Sequence, residues 1–166
     1  MKKWNPKTKE YKVVDYKNCH NKENLCWTYN EIKGNLFDHC EQEDRYAVHC
    51  ISADHVMGGG IAVPMANKFN LRSVFNTYDK LIVGDAYLVG KSFSLVTKEN
   101  VWDEPTYDDL YRSLVDLREK CKQLGIKKLV MPKIGCGIDG LNWDKVRDII
   151  KYVFCGIDID ILVCML

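Results

Sequence analysis

From Trp27 onward, short apolar runs alternate with longer amphipathic ones. Trp27 to Ile32 has strand composition and is closed by Gly34, and Tyr46 to Ile51 predicts a second strand. After the triplet Gly58-Gly59-Gly60, Ile61 to Phe69 predicts a helix; Pro64 is tolerated in its first turn, where no intrahelical donor is lost. Ala86 to Val89 and Phe93 to Thr97 predict two further strands joined at Gly90. Thr106 to Leu124 is the clearest helix. Tyr107, Leu110, Tyr111, Leu114, Leu117, Cys121 and Leu124 recur at steps of three and four, Thr106 suits the N-cap, and Gly125 suits the stop. Lys128 to Met131 predicts a buried strand. Asn142 then caps a helix whose apolar face is Val146, Ile149, Ile150, Val153 and Phe154, and Ile157 to Leu166 predicts a closing strand.

Strands interleaved with helices predict an α/β domain of three layers, α/β/α, around a central mixed sheet. Residues 1–24 are polar and lysine-rich, with one apolar pair at Val13-Val14. They predict an N-terminal extension carrying at most one short edge strand, which leaves residues 25–166 as the domain. A chain of 166 residues suits one core.

Composition narrows the function classes. Apolar residues make up 46% and charged residues 28%, as expected of a folded soluble domain. No apolar run is long enough to span a bilayer, and the basic start leads into no apolar stretch, so a cytoplasmic monomer (or a nuclear one, in a eukaryote) is expected, without membrane contact. Net charge is +1, which gives no field for gripping long nucleic acid. The eight cysteines predict reduced, mostly buried thiols. Cys19, His20, Cys26, His39 and Cys40 cluster in sequence, but they contain no C-x-x-C pair and match no common zinc spacing, so no metal is expected.

Two glycine-rich loops each follow a strand and precede a helix: Met57-Gly58-Gly59-Gly60-Ile61-Ala62 and Pro132-Lys133-Ile134-Gly135-Cys136-Gly137-Ile138-Asp139-Gly140. Glycine lets backbone amides approach a ligand, and a helix start adds unpaired amides. One such loop is as well explained by a tight turn. Two on the same sheet edge suggest a diphosphate held from both sides. The second loop contains G-x-G-x-x-G at Gly135, Gly137 and Gly140, but only 26 residues follow it, too few for a nicotinamide-dinucleotide domain; there is no P-loop motif either. Lys98 ends a strand and would reach a ligand on that edge, or else lie solvated. Asp139 would face whatever the loop holds, or else cap the next helix.

Cys50-Ile51-Ser52-Ala53-Asp54, the first glycine loop, and Met131 through Asp139 together resemble a macrodomain, in particular the branch of terminal ADP-ribose protein glycohydrolases. Thr97-Lys98 and Pro105-Thr106-Tyr107 match that branch too, and the similarity covers about residues 27 to 166. The resemblance implies that ADP-ribose, free or on a protein, is the ligand and that no cofactor is required. It places Asn35 and Leu36 at the adenine end. It sets Ser52 and Gly58, Gly59, Gly60, Ile61 and Ala62 against the distal ribose and diphosphate. Lys133, Ile134, Gly135, Cys136, Gly137 and Ile138 would wrap the same groups, with Leu166 on the adenosine side. Many macrodomains have Asp where this chain has Asn35, which costs a charge-assisted bond to adenine.

The resemblance further implies that Lys98 attacks the anomeric carbon of the distal ribose to form a lysyl intermediate, with Asp139 transferring protons. A neutral amine is needed for this, and Lys133 is a candidate for the cation that favours it. Three alternatives stand beside this hydrolase. A non-catalytic ADP-ribose reader needs neither Lys98 nor Asp139. A phosphatase of ADP-ribose 1″-phosphate belongs to a branch without an acid at the Asp139 position. A hydrolase of ADP-ribosylated DNA draws no support from the even charge.

Overall fold

The computed structural model describes residues 2–5, 10–13 and 27–165. Lys2–Asn5 (β1) and Glu10–Val13 (β2) pair antiparallel as a two-stranded ribbon separate from the main sheet. The extension therefore supplies two strands paired with each other, not one strand on the sheet edge.

The main elements follow as Thr28–Lys33 (β3), Leu36–Gln42 (α1), Tyr46–Ser52 (β4), Ala62–Phe69 (α2), Leu71–Phe75 (α3), Ala86–Val89 (β5), Ser92–Lys98 (β6), Tyr107–Leu124 (α4), Lys128–Met131 (β7), Trp143–Phe154 (α5) and Asp160–Met165 (β8). The six strands lie in the order β3-β8-β7-β4-β6-β5. All neighbours are parallel except β5 and β6, so the sheet is mixed. Alternation along each strand sends side chains to opposite faces. Val48, Phe93, Leu95, Leu129, Met131, Ile161 and Val163 pack beneath the apolar stripes of α4 and α5. Ala47, Ile51, Val96, Val130, Leu162 and Cys164 pack against α1, α2 and α3. These two cores make the three layers.

The helix boundaries obey local chemistry. The Thr106 hydroxyl accepts from the Asp109 amide, and Asn142 Oδ1 accepts from the Lys145 amide. Gly125 ends α4 at φ +68°, a left-handed conformation open to glycine at little cost. The edge strand β3 is bolted to α5 through Glu31. Its carboxylate accepts from Arg147 Nε (2.6 Å) and Nη2 (3.1 Å), Tyr29 Oη (2.7 Å) and Trp143 Nε1 (3.2 Å). The Arg147 bonds are the main reason its pKa falls to about 2. In the sheet interior His49 Nε2 meets Ser94 Oγ at 2.7 Å, and burial pushes the imidazole pKa down to about 3, so it is a neutral core residue.

Among the described residues no group of three or more His, Cys, Asp or Glu is placed to hold a metal ion. Cys19, His20 and Cys26 lie outside those residues.

Candidate active site

The parallel strands bring their carboxyl ends to one edge. The glycine loops leave β4 and β7 there, Lys98 ends β6, and Met165 ends β8. A cleft of about 770 Å³ opens on this edge, a size suited to a nucleotide-like ligand. Of the residues expected from sequence, Ser52, those at 58–62, Lys98 and those at 133–139 line it. Cys50, Met57, Val101, Pro132, Cys164 and Met165 line it as well.

Asn35 and Leu36, expected at the adenine end, are not among the lining residues. Asn35 Oδ1 accepts from the Phe37 amide at 3.0 Å and caps α1, so that oxygen already serves the fold. Leu36, the first residue of α1, is buried in the core. Leu166 lies outside the described residues.

The first glycine loop is shaped for an anion. Helix α2 starts from Ile61, which offers no side-chain cap, and its first turn carries no acidic residue. The Val63 amide bonds the Gly60 carbonyl and Pro64 has no N–H, so the helix start offers a ligand at the triplet the Ile61 and Ala62 amides and its positive dipole end. The other side of the cleft comes close: the end of the Ile138 side chain sits 3.1 Å from where a Cβ on Gly59 would lie, and Ile138 is otherwise 80% exposed. The two loops therefore nearly meet over the cleft. Gly135 turns the second loop at φ +72°, and a Cβ there would strike Leu141 at 2.9 Å.

The loop ahead of the triplet holds two non-glycine residues in left-handed backbone, His55 (φ +46°) and Met57 (φ +49°), which costs energy. Arg72 on α3 offsets that cost. Its guanidinium donates to the Val56 carbonyl through Nη1 and to the Met57 carbonyl through Nη2, each at 2.7 Å. Arg72→Ala removes this clamp. We expect ADP-ribose, the ligand that the sequence resemblance implies, to bind about tenfold more weakly, equal to the loss of one charge-assisted pair of bonds, with the core fold kept. Calorimetry on the folded variant checks it, and unchanged affinity would show that the loop holds its shape unaided.

Asp54 braces the start of the same loop and ties it to the segment after β6. Its Oδ1 accepts from Ser52 Oγ and the Val56 amide, and its Oδ2 accepts from the Val101 amide at 2.9 Å. Burial opposes its charge, but these bonds prevail and hold the carboxyl below its ordinary pKa.

Lys98 and Asp139 meet directly: Lys98 Nζ donates to Asp139 Oδ1 at 2.6 Å, with side-chain exposures of 10% and 17%. Their meeting follows from topology, since they are 41 residues apart: Lys98 ends β6, Asp139 lies in the loop that leaves β7, and β6 and β7 are the two neighbours of β4. A local irregularity completes the placement. Ile51 pairs with Val96 but Ser52 pairs with Lys98, so β6 spends an extra residue, Thr97, at that point. Such a bulge re-aims the next side chain. The bonding partner of Lys98 is thus a carboxylate. Asp139 is committed to the cleft, while Asn142 caps α5 unaided. None of the three cleft thiols competes as a nucleophile, and burial raises the Cys164 thiol as it does the other two. Burial pushes Cys136 up to about 11 against the pull of Lys133, and burial pushes Cys50 higher still.

A three-layer domain with anion-shaped glycine loops and a lysine–aspartate pair at the sheet edge defines a class, and the chain belongs to it: this is a member of the macrodomain family, whose Macro domain model matches residues 45–150. Over 137 residues it is 39% identical to the ADP-ribose glycohydrolase OARD1 of Bos taurus, covering 80% of this chain and 88% of that protein. The Homo sapiens protein of the same name is 38% identical over the same span. Among solved structures, the macrodomain of Mycobacterium tuberculosis DarG superposes with a TM-score of 0.71 at 22% identity, over 85% of this chain and 98% of that one. Thermosipho africanus DarTG, solved in complex with ADP-ribose, gives 0.71 at 21% identity over 84% of this chain and 42% of that one. At those identities the two structures speak to fold alone.

Proposed function

We propose that this macrodomain hydrolyses ester-linked ADP-ribose, releasing it from acidic side chains and from small esters such as O-acetyl-ADP-ribose, through an intermediate on Lys98. Its kinship to ADP-ribose glycohydrolases makes it an ADP-ribosyl hydrolase. The linkage and the intermediate are the proposal. The observation that carries it is the Lys98–Asp139 contact at 2.6 Å inside the cleft.

The pair can run both halves of the reaction, moving one proton in each. Lys98 passes a proton to Asp139, and the neutral amine forms a bond to C1″ as the bond from C1″ to the ester oxygen breaks. The leaving carboxylate takes the proton back from Asp139. Water then attacks C1″, Asp139 accepts its proton, and the nitrogen–carbon bond breaks to return the amine, which regains its proton from Asp139. The glycine-loop amides bind the diphosphate throughout and stay uncharged, which suits a chain of net charge +1.

The test is incubation with O-acetyl-ADP-ribose and with a protein ADP-ribosylated on glutamate. Release of ADP-ribose from both is expected. Binding of ADP-ribose with no release from either ester would leave a reader. Phosphate release from ADP-ribose 1″-phosphate at a higher rate than ester cleavage would favour the phosphatase.

A further inference from the structure

Lys98 also lines a second recess, a groove of about 720 Å³ on the side of the sheet edge away from the glycine loops. The chain passes from cleft to groove along the segment after β6: Val101 lines the cleft, Asp103 lines the groove, and Trp102 between them stands 76% exposed. This segment is held firmly. Val101 is tied to Asp54, the Asn100 amide and side chain both donate to Asp103 Oδ2 (2.9 and 3.1 Å), and the Asp103 amide returns a bond to the Asn100 carbonyl at 3.0 Å. Pro105 is buried at its far end. An indole held out to solvent by an ordered turn is open to serve as an aromatic anchor.

The groove's charges say which partner. Each lining cation already faces carboxylate: Lys80 pairs with Glu99, Lys98 with Asp139, and Arg112 stands 3.7 and 3.8 Å from Asp108 and Asp109. Asp103 and exposed Glu104 leave carboxylates in excess. Carboxylates beside an exposed indole attract a cation and repel phosphate. We infer that the groove and Trp102 form the target-side subsite, which takes a polypeptide carrying Lys or Arg next to the ADP-ribosylated acidic residue, the basic side chain lying on the indole with its charge toward Glu104. This rests on the hydrolase proposed above. It adds a preference for what is attached to ADP-ribose.

The experiment compares kcat/KM of wild type, Trp102→Ala and Glu104→Lys on three esters: O-acetyl-ADP-ribose, a glutamate-ADP-ribosyl peptide flanked by lysines, and the same peptide flanked by glutamates. Wild type favours the lysine-flanked peptide. Trp102→Ala loses about tenfold on that peptide, as truncation of an aromatic anchor does, and keeps its rate on the small ester. Glu104→Lys shifts preference toward the glutamate-flanked peptide. Equal loss on the small ester, no flank preference in wild type, or a stronger need for Trp102 on an ADP-ribosylated oligonucleotide than on the peptides would overturn the inference. In those cases ester turnover by wild type persists and the proposed function stands. If wild type cleaves none of the esters, the proposed function fails and the subsite falls with it.

Discussion

Lys98→Ala should lower ester turnover by about 10³-fold or more while ADP-ribose affinity stays within a few-fold of wild type. On the proposed reading, binding comes from the backbone of the two glycine loops that line the cleft, which the substitution leaves in place. What it removes is the amine 2.6 Å from Asp139. Loss confined to kcat is the mark of a group that acts in the transition state. Lys98→Arg sharpens the test. Arginine keeps the positive charge and much of the reach, but it does not give up its proton in a protein and cannot become a neutral nucleophile. If Lys98 worked only by attracting the departing carboxylate, the arginine variant would retain a sizeable share of the activity. If it attacks C1″, arginine is as inactive as alanine. Single-turnover rates with O-acetyl-ADP-ribose, beside calorimetry with ADP-ribose, separate these outcomes, and wild-type turnover by either variant would remove the lysine from the mechanism.

The legible part of this fold was the part with periodicity or punctuation. The helix α4 repeats its apolar residues over 18 positions and is bounded by Thr106 and Gly125. Its extent was therefore readable to the residue. The helices α1 and α3 have seven and five residues, too short for a 3.6-residue period to emerge, and neither was expected. Asn35 carried the missing signal for α1. Read as a ligand contact, it is also a good N-cap residue, and capping is what its side chain does. The glycine loops were readable because their spacing is local. Their supports were not. Arg72 acts on carbonyls 15 and 16 residues before it, and nothing in the sequence marks Met57 as left-handed.

The same contrast separates the two members of the reactive pair. Each could be nominated from its own surroundings: Lys98 from ending a strand, Asp139 from lying in a glycine loop. Their contact required the order β7-β4-β6, which puts the ends of β6 and β7 on either side of β4. Beside it lies the slip at Thr97, a one-residue event that leaves no trace in the hydrophobic pattern. The preceding strand residues alternate between the two cores, so a regular β6 would have aimed Lys98 by the same alternation.

Asp139→Asn tests the other half of the pair. The substitution keeps size and shape and leaves the Lys98 Nζ an oxygen to donate to, but the amide cannot take up a proton. Steady-state turnover should fall by about 10²- to 10⁴-fold, the range for loss of a positioned acid–base group. The fall need not be equal in the two halves of the reaction. Solvent can remove a proton from the amine before attack, whereas for water attacking C1″ inside the cleft Asp139 is the one carboxylate among the described lining residues to receive its proton. The covalent adduct on Lys98 should therefore accumulate in Asp139→Asn and stay scarce in wild type. Intact mass of the acid-quenched protein should show one added ADP-ribosyl group, assigned to Lys98 by peptide mapping, and Lys98→Ala in the same background should abolish it. Turnover within about threefold of wild type would rule Asp139 out as the proton carrier. A matching loss of ADP-ribose affinity would recast it as a binding residue, and a full loss of turnover with no adduct at any time would place its work in the first half of the reaction, before the nitrogen–carbon bond exists.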